Sequence, residues 1–319
     1  MNRIASAALT LLLAAGCGLE PADDFRNGVP KSDSVAMKVP GASGSALSGE
    51  GTRRQGLLGE QANSYRLTRG VTVMVNGGAG AVLSMVKGIT DNKPTKMTAT
   101  TAIWGPFTDA LSPNTYRFTV TKNKTDDYSY ILEGKGKTDP DTAFKAILSG
   151  SHLVTGKDLG SGTFLLDWNA AATLPEHDAN NVGTMQYAYS RTSLTAVLTI
   201  DAVFTQVRDG DSGKLLDVDY KYDATPGKGG NFEFKMTKDI AMGAALETAA
   251  VKSRWEESGA GRSDMKVSGG DLPTLATSNE CWDSSFASRY LSVSYAPSSG
   301  WGDESQCAFN TAQYSVVAP

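Results

Sequence analysis

The chain has 319 residues, 40% hydrophobic and 20% charged, with a formal net charge of -4 at pH 7. That mild acidity argues against a nucleic-acid partner, which needs a concentrated basic face, while the apolar share is sufficient for a sizeable core. Two histidines and three cysteines mean that any histidine-dependent chemistry must use His152 or His177.

Residues 1–16 combine a short basic start at Arg3 with an apolar stretch from Ile4 to Ala15, broken only by Ser6 and Thr10. This is the layout of a secretory signal, and its apolar part is too short to span a bilayer as a permanent helix. The step Ala14-Ala15-Gly16 before Cys17 resembles the lipobox of bacterial lipoproteins, in which the peptidase cuts just before a diacylated cysteine. Ala14 stands where that family usually has leucine, and Leu13 sits one place earlier. The resemblance implies that Cys17 becomes an acylated N-terminus. Each buried methylene of an acyl chain contributes about 0.8 kcal/mol, so several chains on one residue make an effectively permanent tether. The competing reading is an ordinary signal cut at an Ala-x-Ala-like site, with Cys17 incidental. Among lipoproteins of Gram-negative bacteria an aspartate after the cysteine tends to retain the protein in the inner membrane. Gly18 occupies that place, which implies export towards the outer membrane.

Residues 17–60 are rich in Gly, Ser, Pro and charge, as in "VPGASGSALSGEGTRRQG", and show no apolar periodicity. Such a segment buries too little surface to offset its ordering entropy. It is expected to be a disordered tether, holding the folded part on the order of 35 Å from a membrane. A single β-rich domain is expected over residues 61–319.

Between about 62 and 90, Leu67, Val71, Met74, Gly78, Val82, Met85 and Ile89 recur at steps of three and four, the spacing of one helix face. "NGGAG" at Asn76–Gly80 opposes it, because Asn-Gly favours turns and each interior glycine costs about 1 kcal/mol against alanine. A hairpin beginning with "VTVMV" competes; one long helix is the favoured reading. Asn76, the glycines and Lys87 argue against a transmembrane span.

From Lys96 onward the pattern is one of strands. "TYRFTVT" places Tyr116, Phe118 and Val120 on one face, and "YSYILE" places Tyr128, Tyr130 and Leu132 there after a polar loop, which is hairpin grammar. It recurs in "GTFLLDW", "GTMQYAYS", "KLLDVDYKYD", "NFEFKM" and "RYLSVSY". Ten or more short strands separated by Gly, Asp and Asn turns predict a mainly β fold: a large curved antiparallel sheet or half-barrel with one long N-terminal helix packed on it. An outer-membrane barrel shows the same alternation, but a chain that is itself embedded needs no tether.

Of the candidate sites, Glu176, His177 and Asp178 in "PEHDANN" suggest a metal or acid–base group, yet adjacent residues rarely converge on one ion and a solvated loop explains them better. "DGDSGKLLDVDY" from Asp209 opens like a calcium loop, but Lys214 and Tyr220 occupy the positions that need glycine and a bidentate glutamate. No catalytic motif and no cofactor-binding motif is found, and an enzyme is the third-ranked class. Cys281 and Cys307 are an even pair in an exported chain and are expected to form a disulfide; a metal pair would lack further ligands nearby. Trp282, Tyr290, Tyr295 and Trp301 cluster around them and suggest either a ligand or partner surface or packing that closes the end of the sheet.

"TAIWGPFTDALSPNTYRFTV" and the strand-rich middle that follows resemble uncharacterised exported lipoproteins of Gram-negative bacteria, a likeness that brings no activity with it. The expectation is a lipid-anchored envelope protein with a non-catalytic binding or structural role. Its partners would be the membrane through the lipid and an envelope protein or glycan. The alternative is a carrier or sensor of an apolar ligand between sheet and helix, a layout resembling half-barrel lipoproteins and lipid chaperones.

Overall fold

The structure, a computed structural model, describes residues 21–41, 58–108, 110–208, 213–238, 243, 245–295 and 300–317. The expected signal peptide and Cys17 lie outside these residues. Among these residues fifteen strands follow one another in a single open antiparallel sheet, each paired with its neighbours in sequence. They are Lys96–Met97 (β1), Thr101–Phe107 (β2), Asn114–Lys124 (β3), Asp127–Gly136 (β4), Lys145–Gly156 (β5), Leu159–Asp167 (β6), Thr184–Arg191 (β7) and Leu198–Arg208 (β8). The second half comprises Leu215–Thr225 (β9), Gly229–Lys238 (β10), Glu247–Glu256 (β11), Gly261–Gly269 (β12), Ala276–Trp282 (β13), Ser288–Val293 (β14) and Trp301–Gly302 (β15). Each strand pairs antiparallel with the next, so the meander needs no crossover. Two-residue strands close both edges, leaving little unpaired ladder exposed.

A short helix, Pro21–Asn27 (α1), precedes the long helix Asn63–Thr90 (α2). The glycine-rich stretch does not break α2, because tertiary packing outweighs propensity. Its N-terminus is held at β13, where the Glu280 carboxylate accepts from the main-chain N–H groups of Asn63 and Ser64 at 3.3 and 2.8 Å. Its C-terminal end reaches β2, where Trp104 Nε1 donates to Asn92 O at 2.9 Å. A helix of this length spans about 42 Å, whereas the strands from β2 to β13 occupy about 53 Å of sheet along the hydrogen-bonding direction. The arc exceeds the chord, so the sheet curves around the helix.

The buried helix face differs from the expected one. Tyr65, Thr68, Thr72, Val75, Ala79, Val82, Leu83 and Val86 are buried, while Met74 and Met85 are 58% and 45% exposed. The stripe is turned by about one residue, because hydroxyls take part in it: Thr68 Oγ1 lies 2.6 Å from Ser253 Oγ on β11 and also bonds Ser64 O at 2.7 Å. Apolar spacing alone does not register such satisfied threonines.

The larger correction concerns the segment expected to be a disordered tether. Over residues 21–41 the chain is packed onto the sheet, with Phe25, Val29, Val35, Met37 and Val39 buried in the same core as the strand aromatics. Residues 28–41 form a strap beside α2 on the inner face, irregular apart from a single 3-10 turn at Ser32–Ser34. Tyr187 on β7 donates its hydroxyl to Val35 O at 2.7 Å, and the Tyr222 hydroxyl on β9 bonds both the N–H and the C=O of Lys38 at 2.8 and 2.9 Å. Asn76 accepts from Met37 N and donates to Met37 O, each at 2.8 Å. That double contact explains an asparagine in the middle of a helix. Gly28 admits the Tyr128 ring where a Cβ would overlap it. A segment with few large apolar anchors orders because its main-chain groups find partners already fixed in the sheet and helix.

On the outer face, the chain after β15 turns back across β13, β12, β11 and β10. The Cys281–Cys307 disulfide pins its start, with the Cα atoms 5.7 Å apart. Residues 309–316 then lie over a row of buried charges described below.

Two measurements test this account. Asn76→Ala should gain about 0.5 kcal/mol of helix propensity but lose about 2 kcal/mol through the unpaired Met37 groups, so the denaturation midpoint should fall; a rise would show that the strap contributes nothing. Cys281→Ser with Cys307→Ser should cost about 3 kcal/mol by releasing a loop of 26 residues, read from urea titrations under non-reducing conditions, and an unchanged midpoint would refute it.

Candidate functional site

The candidates suggested by sequence are dispersed. His177 Nε2 lies 3.0 Å from the Tyr116 hydroxyl at the surface. The Asp178 carboxylate instead accepts from Asn180 N at 2.9 Å, and Glu176 takes a left-handed backbone, φ 58°. Among the described residues no group of three or more His, Cys, Asp or Glu could hold a metal ion. Residues 209–212 of the calcium-like stretch lie outside the described residues, and Tyr220 faces the core.

The four C-terminal aromatics do not form one platform. Cys281 pairs with Tyr290 and Trp282 with Ser288, so Trp282 and Tyr290 point to opposite faces. Trp282 is a core residue, its Nε1 donating to Gly259 O at 3.0 Å and its ring 5.9 Å from that of Tyr65. Tyr290 covers the Arg262 guanidinium on the outer side at 5.9 Å. Trp301 Nε1 donates to Ser288 Oγ at 3.1 Å, and Tyr295 is 36% exposed beyond β14. A shallow recess of about 360 Å³ runs between Tyr290 and Trp301 along the edge of β14.

A larger concavity than this recess lies on the face of the sheet turned away from α2. It is a groove of about 680 Å³ across β3 to β8. Register assembles it from two parallel cross-strand rows. One row runs Thr121, Ser129, Ser151, Thr163, Ala188 and Asp201; the other runs Thr119, Ile131, Ser149, Leu165, Gln186 and Val203. Hydroxyls occupy half of these row positions, all of them on β3 to β6, with Ile131, Leu165, Ala188 and Val203 as its apolar part, Gln186 as an amide and Asp201 as its carboxylate. Tyr130, Phe164 and Tyr187 border it through the sheet, but their rings belong to the inner core. No motif marks these positions, because outward residues of amphipathic strands read as ordinary solvated surface.

Beyond Asp201 the first row continues as alternating charge: Lys221, Glu233, Lys252 and Asp264. Lys252 and Glu233 are 2.9 Å apart, and Asp264 pairs with Arg254 at 2.9 Å and Arg262 at 2.6 Å. This part is covered by the C-terminal segment through main-chain contacts. Arg262 donates to Phe309 O at 3.1 Å and Arg254 to Thr311 O at 2.8 Å, while Asp264 accepts from Gln313 N and Glu233 from Val316 N, both at 2.9 Å. Burial by itself would raise the Glu233 pKa, but hydrogen bonds from Lys252, Ser315 and Val316 together outweigh it and hold the carboxyl below its ordinary value.

On the inner side, His152 is 6% exposed and its Nδ1 lies 2.7 Å from the Tyr189 hydroxyl. Gly160 and Gly162 make room for this pair, since a Cβ at either would overlap His152 or Tyr189. Burial pushes the imidazole pKa down to about 4, although a hydrogen bond with the Ser161 main chain acts in the opposite direction.

Compared with family models, with curated proteins and with solved structures, the chain matches none.

The depressed His152 pKa has a definite consequence for stability. An unfolded imidazole titrates near 6.5, so between pH 6.5 and about 4 the unfolded chain binds a proton that the folded chain refuses. Stability is full above pH 6.5 and falls as pH drops through that window, by on the order of 3 kcal/mol. His152→Gln should flatten this slope in unfolding titrations at successive pH values; an unaltered slope would place its cause elsewhere.

Proposed function

We propose that the protein is an exported, lipid-anchored component of a bacterial cell envelope, directed to the outer membrane by Gly18 after the acylated cysteine, with a non-catalytic binding role performed by the outer face of its sheet. The observation that carries the binding reading is the groove of about 680 Å³ across β3 to β8, which adjoins a stretch of the same face already occupied by the chain's own C-terminal segment. Export is supported by the basic and apolar layout of residues 1–16 and the lipobox-like step before Cys17, and by a disulfide between Cys281 and Cys307, which suits an oxidising compartment.

The alternative, an apolar ligand carried between sheet and helix, has less in its favour. Val29, Val35, Met37 and Val39 of the strap share that space with α2 and the inner aromatics, so a ligand there would have to displace part of the core.

Two experiments in exporting cells test the reading. Cys17→Ser should release the protein from membranes, and unchanged partitioning would defeat the lipid anchor. A photo-reactive side chain introduced at Thr163 or Gln186 in the groove should give a discrete cross-linked adduct in intact cells, whereas one at Ser84 on the exposed side of α2 should not. Absence of adducts from the groove, or the same adducts from Ser84, would defeat the binding surface.

A further inference from the structure

We infer that the outer groove receives an extended polypeptide segment of a partner protein, about seven residues long and carrying a basic residue at the β8 end. The inference rests on the proposed role of the outer face and specifies what that face holds.

Three observations lead to it. The first is how this sheet treats polypeptide wherever one crosses it. Over β10 to β12, Arg262, Arg254, Asp264 and Glu233 bind the C=O or N–H groups of residues 309–316. On the inner face, Tyr187 and Tyr222 do the same to residues 35 and 38. Both covering segments run across the strands and are held through main-chain atoms. The outer groove continues the track of the C-terminal segment, since the row from Asp264 to Glu233 runs on through Lys221 and Asp201 into the hydroxyls.

The second observation is the chemistry of the groove. Each serine or threonine hydroxyl both donates and accepts, as a main chain offering alternate N–H and C=O groups requires. Ser129, Ser151 and Thr163 succeed one another on adjacent strands at about 4.8 Å intervals. Ile131, Leu165 and Val203 suit small aliphatic side chains between those contacts. A sugar ring would want an aromatic face to stack on, and the rings of Tyr130, Phe164 and Tyr187 are committed to the inner core, Phe164 and Tyr187 stacked at 4.8 Å. A glycan is therefore the less suited occupant.

The third observation is length and charge. From β3 to β8 the groove crosses five strand spacings, about 24 Å, which roughly seven extended residues cover. Asp201 and Asp219 are exposed on neighbouring strands at the β8 end, with Lys221 facing Asp201. The exposed Asp201 carboxylate, the one charge in the groove lining, complements a lysine or arginine on the incoming segment, while the β3 end offers only hydroxyls.

The test uses the full exported chain in detergent and fluorescence anisotropy. The probe is a labelled heptapeptide library with lysine first and Ser, Thr, Val or Ala at the remaining positions; a second library has alanine in place of the lysine. Maltohexaose and chitohexaose serve as glycan competitors. The lysine library should bind saturably, and Thr163→Trp or Gln186→Trp, each filling the groove from an exposed position, should abolish binding while leaving the thermal midpoint unchanged. Asp201→Asn should weaken the lysine library by about threefold, the size expected of an exposed charge pair, remove its salt dependence and leave the alanine library as it was. No saturable binding by either library, binding indifferent to both tryptophan variants, or tighter binding of an oligosaccharide would overturn the inference. If cross-linking from the groove succeeds in cells and the peptides fail, the proposed binding surface stands and only this inference falls; if both fail, the proposed surface falls with it.

Discussion

A single open sheet has two faces, and the burial of the inner one is the constraint on which the rest of this molecule depends. The inner side carries Phe118, Tyr130, Leu132, Phe164, Tyr187, Phe232 and Phe234, all of them buried. Fully burying one such side chain is worth roughly 1.5–3 kcal/mol. Among the described residues there is no second sheet to cover them. A helix spanning from β13 to β2 supplies part of the cover, and the strap of residues 28–41 supplies another. Curvature follows, because a sheet longer than its covering helix must bend to keep both ends in contact.

A covering segment that crosses strands cannot join their ladder, so its main-chain groups need side-chain partners or water. This protein supplies side chains. Tyrosine hydroxyls and Asn76 serve the strap on the apolar inner face, whereas arginine and carboxylate groups serve the C-terminal segment on the outer face. The choice of group follows the surroundings. A tyrosine presents a large apolar ring and a single polar tip, which suits a core; a charged group there would need a partner of its own. Outside, Asp264 between Arg254 and Arg262 forms such a set, each charge balanced by another or by main chain. Breaking a set of this kind is costly because it strands a buried charge.

Beside the stretch covered by the C-terminal segment the outer face of β3 to β8 stays open, and its side chains change character at Asp201, from charged to neutral. The proposed function and the inferred peptide site both build on that discontinuity. His152 belongs to a different part of the design. It occupies room created by Gly160 and Gly162 and is held neutral by burial, so it acts as a packed, acid-sensitive core residue rather than as a reactive group.

Much of the architecture was legible from the amino-acid order. Period-two alternation marked the strands and their inward faces, because side chains in a strand alternate whatever surrounds them. Spacing at three and four located α2 almost to the residue, and an even cysteine pair anticipated the bridge between Cys281 and Cys307. What the sequence could not decide was anything that depends on which distant groups meet. Asn76 read as a turn signal until Met37 was found against it, and residues 21–41 read as unstructured because their order comes from partners on β7, β9 and α2. Trp282 and Tyr290 read as one cluster, though strand pairing sends them to opposite faces. The groove was invisible for the same reason: its lining side chains come from six strands and are unremarkable on each, and only the register of the folded sheet sets them in rows.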